Sequence, residues 1–175
     1  MRTKFFKNWI SSLKFKFSKF GLDKYTVLES SSIIIQKNWL INHGNFDKTN
    51  YKGSGEKVAV LDTGVDPNHK EIKNKIISMC FIEGCKDPFD YSNHGTFIIG
   101  EIVSNNLGIS PESNCLSAKV LHGDGRDSDI HTFEKGVHKA ILYSIENDYG
   151  VISMSFGSPH KSSLINDALS EAVNK

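Results

Sequence analysis

Three cysteines are all the chain has, Cys80, Cys85 and Cys115, an odd number with no paired Cys-x-x-Cys ladder. Neither a disulfide framework nor a structural zinc site is expected, which leaves free thiols and a reducing compartment. Uninterrupted apolar runs are missing as well. Lysines or serines break every stretch of the first twenty residues, so a cleaved secretory signal is not expected, and no segment has the apolar length that a membrane span needs. Net charge is close to nil: 21 basic against 20 acidic side chains give +1 with His neutral, and such a balance implies no nucleic-acid partner. The segment Gly-x-Ser-x-Gly, a sharp turn that presents a nucleophilic serine, does not occur.

What is present points to a folded chain. A hydrophobic share of 38% over 175 residues is too high for disorder and suffices for one domain, which would bury about 70% of the surface of the unfolded chain. The N-terminal stretch stands apart by charge. No acidic residue precedes Asp23, while Arg2, Lys4, Lys7, Lys14, Lys16 and Lys19 supply six cations. Phe5, Trp9, Leu13, Phe17 and Phe20 recur at steps of three or four, which makes one helical stripe. Residues 1–52 are expected to be an N-terminal extension with a basic amphipathic segment, ahead of a domain over 53–175. The stripe has two readings: a membrane-surface or autoinhibitory helix, or a helix whose apolar side packs on the domain.

After the linker-like Gly53-Ser54-Gly55, short β-branched runs alternate with longer helical stretches, so the expected class is α/β with a parallel sheet flanked by helices. Strands are expected at Val58–Leu61, Ile76–Phe81, Cys115–Leu121 and Val151–Ser155. Helices are expected at His94–Val103, along a face marked by Ile130, Phe133, Val137 and Ile141, and along a last face of Leu164, Ala168, Leu169, Ala172 and Val173. Val58–Leu61 is apolar throughout, as a central strand buried on both faces must be, and Asp62 follows at its carboxyl end. Catalytic groups of open α/β sheets gather there. Gly95 and Gly100 suit close backbone approach, and Asp66 reads as a turn or capping residue.

Four segments carry chemistry in a fixed order. Val58-Ala59-Val60-Leu61-Asp62-Thr63-Gly64 ends a strand in a carboxylate, and Asn93-His94-Gly95-Thr96 follows thirty-two positions later. A carboxylate can hold one imidazole nitrogen and leave the other to take a proton from a hydroxyl. Asp62 alone would read as turn chemistry, and the chain has six other histidines, but only His94 lies in such a segment. Ser117-Ala118-Lys119-Val120-Leu121-His122-Gly123-Asp124-Gly125 and Val151-Ile152-Ser153-Met154-Ser155-Phe156-Gly157-Ser158 complete the series. From about Trp39 to Lys175 these segments resemble the N-terminal portion of the catalytic domain of subtilisin-like serine proteases (subtilases, peptidase family S8). The Leu-Asp-Thr-Gly and Ile-Ser-Met-Ser forms are most similar to those of the intracellular bacterial members.

The resemblance implies a subtilisin-like, incomplete α/β domain acting on a peptide or protein substrate. Asp62 would orient His94, and His94 would be general base and then general acid. Gly125, Ser155, Phe156 and Gly157 would bind substrate, pairing with an extended peptide as an added strand. Arg126 and Asp127 replace small residues common in the family, and Phe97 stands where members often carry a second histidine. Calcium is common among members, and Glu71 occupies a ligand position, but Ser104–Leu107 is too short a loop to bring the remaining oxygens, so neither metal nor cofactor is expected. Asp124, Asp127 and Asp129 read as a solvated helix start. The nucleophile segment and the oxyanion asparagine of the family would follow Lys175. The expected function is therefore serine endopeptidase chemistry represented by a truncated chain that is inactive alone. The alternative is a non-catalytic peptide-binding remnant, or one half of a split protease. A cytoplasmic location is expected, and oligomeric state is not legible.

The six cations and the Phe5 to Phe20 stripe generate a first prediction: a peptide of residues 1–20 should co-sediment with anionic liposomes and not with neutral ones. Equal binding to both, or to neither, favours packing on the domain.

Overall fold

The computed structural model of the protein describes residues 50–72, 76–106, 108–123 and 129–174. The basic stripe of residues 1–20 and Gly125 lie outside the described residues, as do Asp124, Arg126 and Asp127. Four strands, β1 (Lys57–Asp62), β2 (Ile76–Cys80), β3 (Asn114–Lys119) and β4 (Val151–Met154), form one sheet in the order β2-β3-β1-β4. All three pairings are parallel. Three helices accompany them, α1 (His94–Val103), α2 (Ile130–Glu146) and α3 (Ser163–Val173).

β1 lies between β3 and β4, so both of its faces must be covered. Successive side chains of a strand point to opposite faces. Val58 and Val60 accordingly join Val65, Ile72, Ile99, Val103 and Cys115 in a core under α1. Ala59 and Leu61 join Leu116, Ala118, Val120, Val137, Ala140, Ile141 and Ala168 in the core that α2 and α3 close. The same alternation turns Asp62 toward the α1 side. Lys119, its register partner on β3, follows Ser117 by the same two-residue step.

The helices begin where their caps allow. Asp129 accepts the amides of His131 and Thr132 at the start of α2, and Ser162 accepts that of Ile165 at the start of α3. Thr132 donates to Asp129 through both its hydroxyl and its amide, and the carboxyl lies below its ordinary range, chiefly because of that hydroxyl. Of the anticipated apolar faces, Val137 and Ile141 are fully buried and Phe133 partly so, but Ile130 is exposed. It sits in the first turn of α2, at the edge of the packed region. In α3, Ile165, Ala168, Leu169 and Ala172 face α2, whereas Leu164 and Val173 point outward. Their spacing is helical, but they fall one position to either side of the packed stripe.

Cys80 and Cys85 form a disulfide, and only Cys115 is a free, buried thiol among the described residues. This corrects the expectation of three free thiols. After β2 the chain turns back, with the amide of Cys85 donating to the carbonyl of Ile82 at 3.1 Å. The turn brings the two cysteine Cα atoms to 6.1 Å, within reach of one bridge. An odd count thus hid one local pair plus one leftover. Burial pushes the Cys115 thiol up to about 12, so it stays protonated and packs as a small apolar group.

Leu116, fully buried in the core beneath α2, should lose about 2–5 kcal/mol of stability on Leu116→Ala, read from the urea midpoint at unchanged m-value. A loss under about 1 kcal/mol would mean that this core is not close-packed.

Candidate active site

Asp62 ends β1 on its α1 side with 1% of its surface exposed. Its Oδ1 accepts the amide of Thr63 at 2.7 Å and lies 2.7 Å from Nδ1 of His94, the first residue of α1. The Asp62 Oδ2 atom is buried and has no hydrogen-bond partner among the described residues. His94 keeps 27% of its side chain exposed. One imidazole nitrogen is thus held by a buried carboxylate while the ring reaches the surface.

Two glycines make this approach possible. A Cβ on Gly95 would stand 2.3 Å from the carbonyl oxygen of Gly64 and 3.2 Å from the Cβ of Asp62. Gly64 itself has a φ of 106°, and a Cβ there would stand 2.2 Å from the carbonyl oxygen of Pro88. Gly95 therefore lets the first turn of α1 touch the turn after β1, and Gly64 lets that turn touch the loop at Pro88 and Phe89, through their backbones. Gly100, also assigned to close approach, meets no atom within 4 Å.

A helix leaves its first N–H groups unpaired, and here each finds a named oxygen. Asn93, whose φ is 63°, offers no side-chain cap. Its amide donates instead to Asp90 Oδ1 at 3.0 Å, that of His94 to Ser92 Oγ at 3.2 Å, that of Gly95 to Thr63 Oγ1 at 2.9 Å and that of Thr96 to Asp90 Oδ2 at 2.8 Å. Neither Asp90, Thr63 nor Thr96 was anticipated as a site residue. The signal was there in Asp90-Tyr91-Ser92-Asn93, a cluster of capping residue types directly before a helix.

A helix N-terminus disfavours imidazolium, yet the His94 pKa is raised above its ordinary 6.5. The Asp62 hydrogen bond is the main cause; burial opposes it, and the charges of Asp62 and Asp90 add to it. The carboxylates outweigh the burial.

Gly125 lies outside the described residues, and the other expected site residues follow β4 at the same edge of the sheet. Ser155 and Phe156, half-buried, and exposed Gly157 follow directly on β4. The Phe156 ring meets Phe133 of α2 edge-on at 5.5 Å, which anchors the segment. β4 pairs with β1 alone among the described residues. Asp66 closes a turn by accepting the amide of Asn68 at 2.9 Å. Phe97 is exposed. The Glu71 carboxylate accepts the amide and the side-chain Nδ2 of Asn106. No group of three or more His, Cys, Asp or Glu among the described residues could hold a metal ion.

A carboxylate-held histidine at the carboxyl edge of a parallel α/β sheet has the geometry that the acid–base part of a hydrolytic triad requires. Comparison with known proteins makes the assignment specific. A profile of the Subtilase family, peptidase S8, matches residues 53–175, and the chain belongs to that family. The major intracellular serine protease of Bacillus subtilis (strain 168) is 35% identical over 132 residues, 70% of this chain and 40% of that protein. The intracellular serine protease of Paenibacillus polymyxa is likewise 35% identical, over 70% of this chain and 39% of that protein. A cold-adapted subtilisin-like serine proteinase of known crystal structure superposes with a TM-score of 0.61 at 25% identity, covering 72% of this chain and 45% of that one. The chain spans about 40% of the length of the two named relatives. No described helix is long and apolar enough to cross a membrane.

The raised pKa of His94 carries a pH signature. The folded state holds this proton more tightly than the unfolded chain, so the contribution is complete below about pH 6.5 and fades as pH rises through the higher folded value. The stability difference between the native chain and His94→Gln should therefore shrink between about pH 5.5 and about pH 9. His94 keeps 27% of its side chain exposed while Asp62 is buried, so the change should be on the order of 1 kcal/mol. A difference that is flat across that range would show that Asp62 does not hold the imidazolium.

Proposed function

We propose that the chain carries the Asp–His portion of a serine endopeptidase site, with His94 as general base and then general acid and Asp62 as its orienting carboxylate. The observation that carries the reading is the 2.7 Å contact between His94 Nδ1 and Asp62 Oδ1 at the carboxyl end of a buried parallel strand. Nδ1 directed to a carboxylate makes Nε2 the atom that exchanges a proton with a serine hydroxyl and later with the leaving amine. No Gly-Thr-Ser or Gly-x-Ser-x-Gly segment occurs in the 175 residues, so the reading places the serine in sequence beyond them. In subtilisin, a relative, loss of the nucleophile alone costs about 10⁶ in turnover, and on this reading the 175 residues are inactive by themselves.

Substrate would be a peptide in extended form. Ser155, Phe156 and Gly157 continue β4 at an edge of the described sheet, where backbone groups can pair with an added strand, and Gly125 would be a further substrate-binding residue. Residues 1–52 would form an extension ahead of the domain, which is supported by the start of the family match at residue 53. Membrane-surface contact would belong to residues 1–20. A cytoplasmic location draws support from the word intracellular in the names of two relatives. The Cys80–Cys85 disulfide weighs against it, because cytosolic thiols are kept reduced.

The purified chain should neither cleave casein nor react with a fluorophosphonate probe. Extending it with the part of the Bacillus subtilis relative that follows the matched stretch should create labelling that His94→Ala abolishes. Labelling of the unextended chain that depends on His94 would overturn the assignment of the serine, and a folded extended chain without labelling would overturn the protease reading.

A further inference from the structure

Asp90 is buried to 1% exposure, four residues before His94, and is not one of the groups to which the acid–base chemistry has been assigned. Its carboxylate joins two parts of the chain that are far apart in sequence. Oδ1 accepts the hydroxyl of Thr63, the residue after Asp62, at 2.8 Å, and the amides of Ser92 and Asn93 at 3.0 Å each. Oδ2 accepts both the amide and the hydroxyl of Thr96, at 2.8 and 2.7 Å. Each of these threonines passes the connection on. Thr63 Oγ1 accepts the amide of Gly95 at 2.9 Å, and Thr96 Oγ1 accepts the amide of Asp66 at 2.9 Å. The turn after β1 and the first turn of α1 are therefore stitched together on either side of His94.

A backbone ladder supports the stitch. The amide of Val65 donates to the carbonyl of Pro88 and that of Asp90 to the carbonyl of Val65, each at 3.2 Å. From the sheet side, the ammonium group of buried Lys119 donates to the carbonyl of Phe89 and lies 5.0 Å from the centre of the Tyr91 ring. A buried charge is costly unless hydrogen-bonded. Here burial raises the Asp90 pKa, but bonds from Thr96, Thr63 and Ser92 outweigh it and hold the carboxyl below its ordinary 3.8. The group stays an anion, able to accept all of these donors at once.

We propose that Asp90 is a positioning residue for the Asp62–His94 pair, fixing the start of α1 against Thr63 so that the imidazole stays seated on the Asp62 carboxylate. The inference rests on reading that pair as catalytic, but it can be measured without peptidase activity. Without the clamp, the register of α1 against the β1 turn would depend on apolar contacts and the two glycines, and the side chain of His94 could swing away from Asp62. Among the described residues, the charged groups that act on the imidazole include Asp62 from the end of β1 and Asp90 from the loop before α1, while Lys119 of β3 is directed at that loop.

The test is the titration of His94 in the full chain by NMR, with its signal identified by absence in His94→Gln. Asp62→Asn should lower the proton affinity of His94 most. Asp90→Asn should lower it by about threefold or more, half a pKa unit. Thr63→Val, which leaves both carboxylates in place and removes only the bridging hydroxyl, should shift it the same way by a smaller amount. A purely structural Asp90 would change the melting temperature and leave the titration of the folded protein where it is. A folded Asp90→Asn chain that titrates like the native one overturns the proposal. So does a shift in Asp90→Asn with none in Thr63→Val, which would be the effect of charge alone. Should Asp90→Asn fail to fold, Thr63→Val decides, a native titration counting against the proposal. If Asp62→Asn leaves His94 unmoved, it is the catalytic reading of the pair that fails.

Discussion

A strand enclosed by neighbours on both edges and by helices on both faces has no freedom in where its side chains go. β1 is such a strand, and the two-residue alternation that sends Val58 and Val60 into one core and Ala59 and Leu61 into the other also decides the side on which Asp62 emerges. A shift of one residue would turn the carboxylate toward α2 and bury Val58 and Val60 in the wrong core. The placement of the charge is thus a by-product of apolar packing. What the strand end cannot do is hold the histidine, which arrives from another part of the chain.

That task falls to polar contacts whose cost and benefit are both set by burial. The Asp62 and Asp90 carboxylates lie in regions that water scarcely reaches, so each must be satisfied from within or raise the free energy of the fold. Asp90 is satisfied by backbone and hydroxyl donors, which a helix start supplies in excess. Asp62 shares one oxygen between the amide of Thr63 and the imidazole. The result at His94 is a contest between burial, which disfavours the proton, and two carboxylates that attract it, and the carboxylates win. A histidine so held is a stronger base than a free one.

The Subtilase match covers residues 53–175, and the superposition with a subtilisin-like proteinase covers 72% of the chain. The disulfide after β2 was not anticipated from the family resemblance or the cysteine count. It closes the turn that leads into the loop carrying Asp90, and so ties the end of β2 to the approach of that loop toward His94.

Several features were legible in the residues because they depend on local pattern. The apolar run before Asp62, the β-branched segments at 76, 115 and 151, and the helical spacing of Phe133, Val137 and Ile141 each report a period, and the strands and helices formed there. The glycines of Asp-Thr-Gly and His-Gly-Thr were legible through motif. Other features were settled only when distant parts met. Ile130, Leu164 and Val173 share the helical spacing but not the burial, since a stripe has edges that the partner surface defines. Cys80 and Cys85 pair because a turn brings them together, which a count of three cannot express. Asp90 reads as one more polar residue in a polar loop until folding buries it beside Thr63 and Thr96. The sequence by itself determined which residues could carry a proton-transfer pair and on which strand and helix they would lie, because period and motif are local properties. Only the tertiary structure decided that Asp62 and His94 meet at 2.7 Å and that Asp90 locks the elements carrying them, because hydrogen bonds between residues some thirty positions apart exist only once the sheet and α1 are packed.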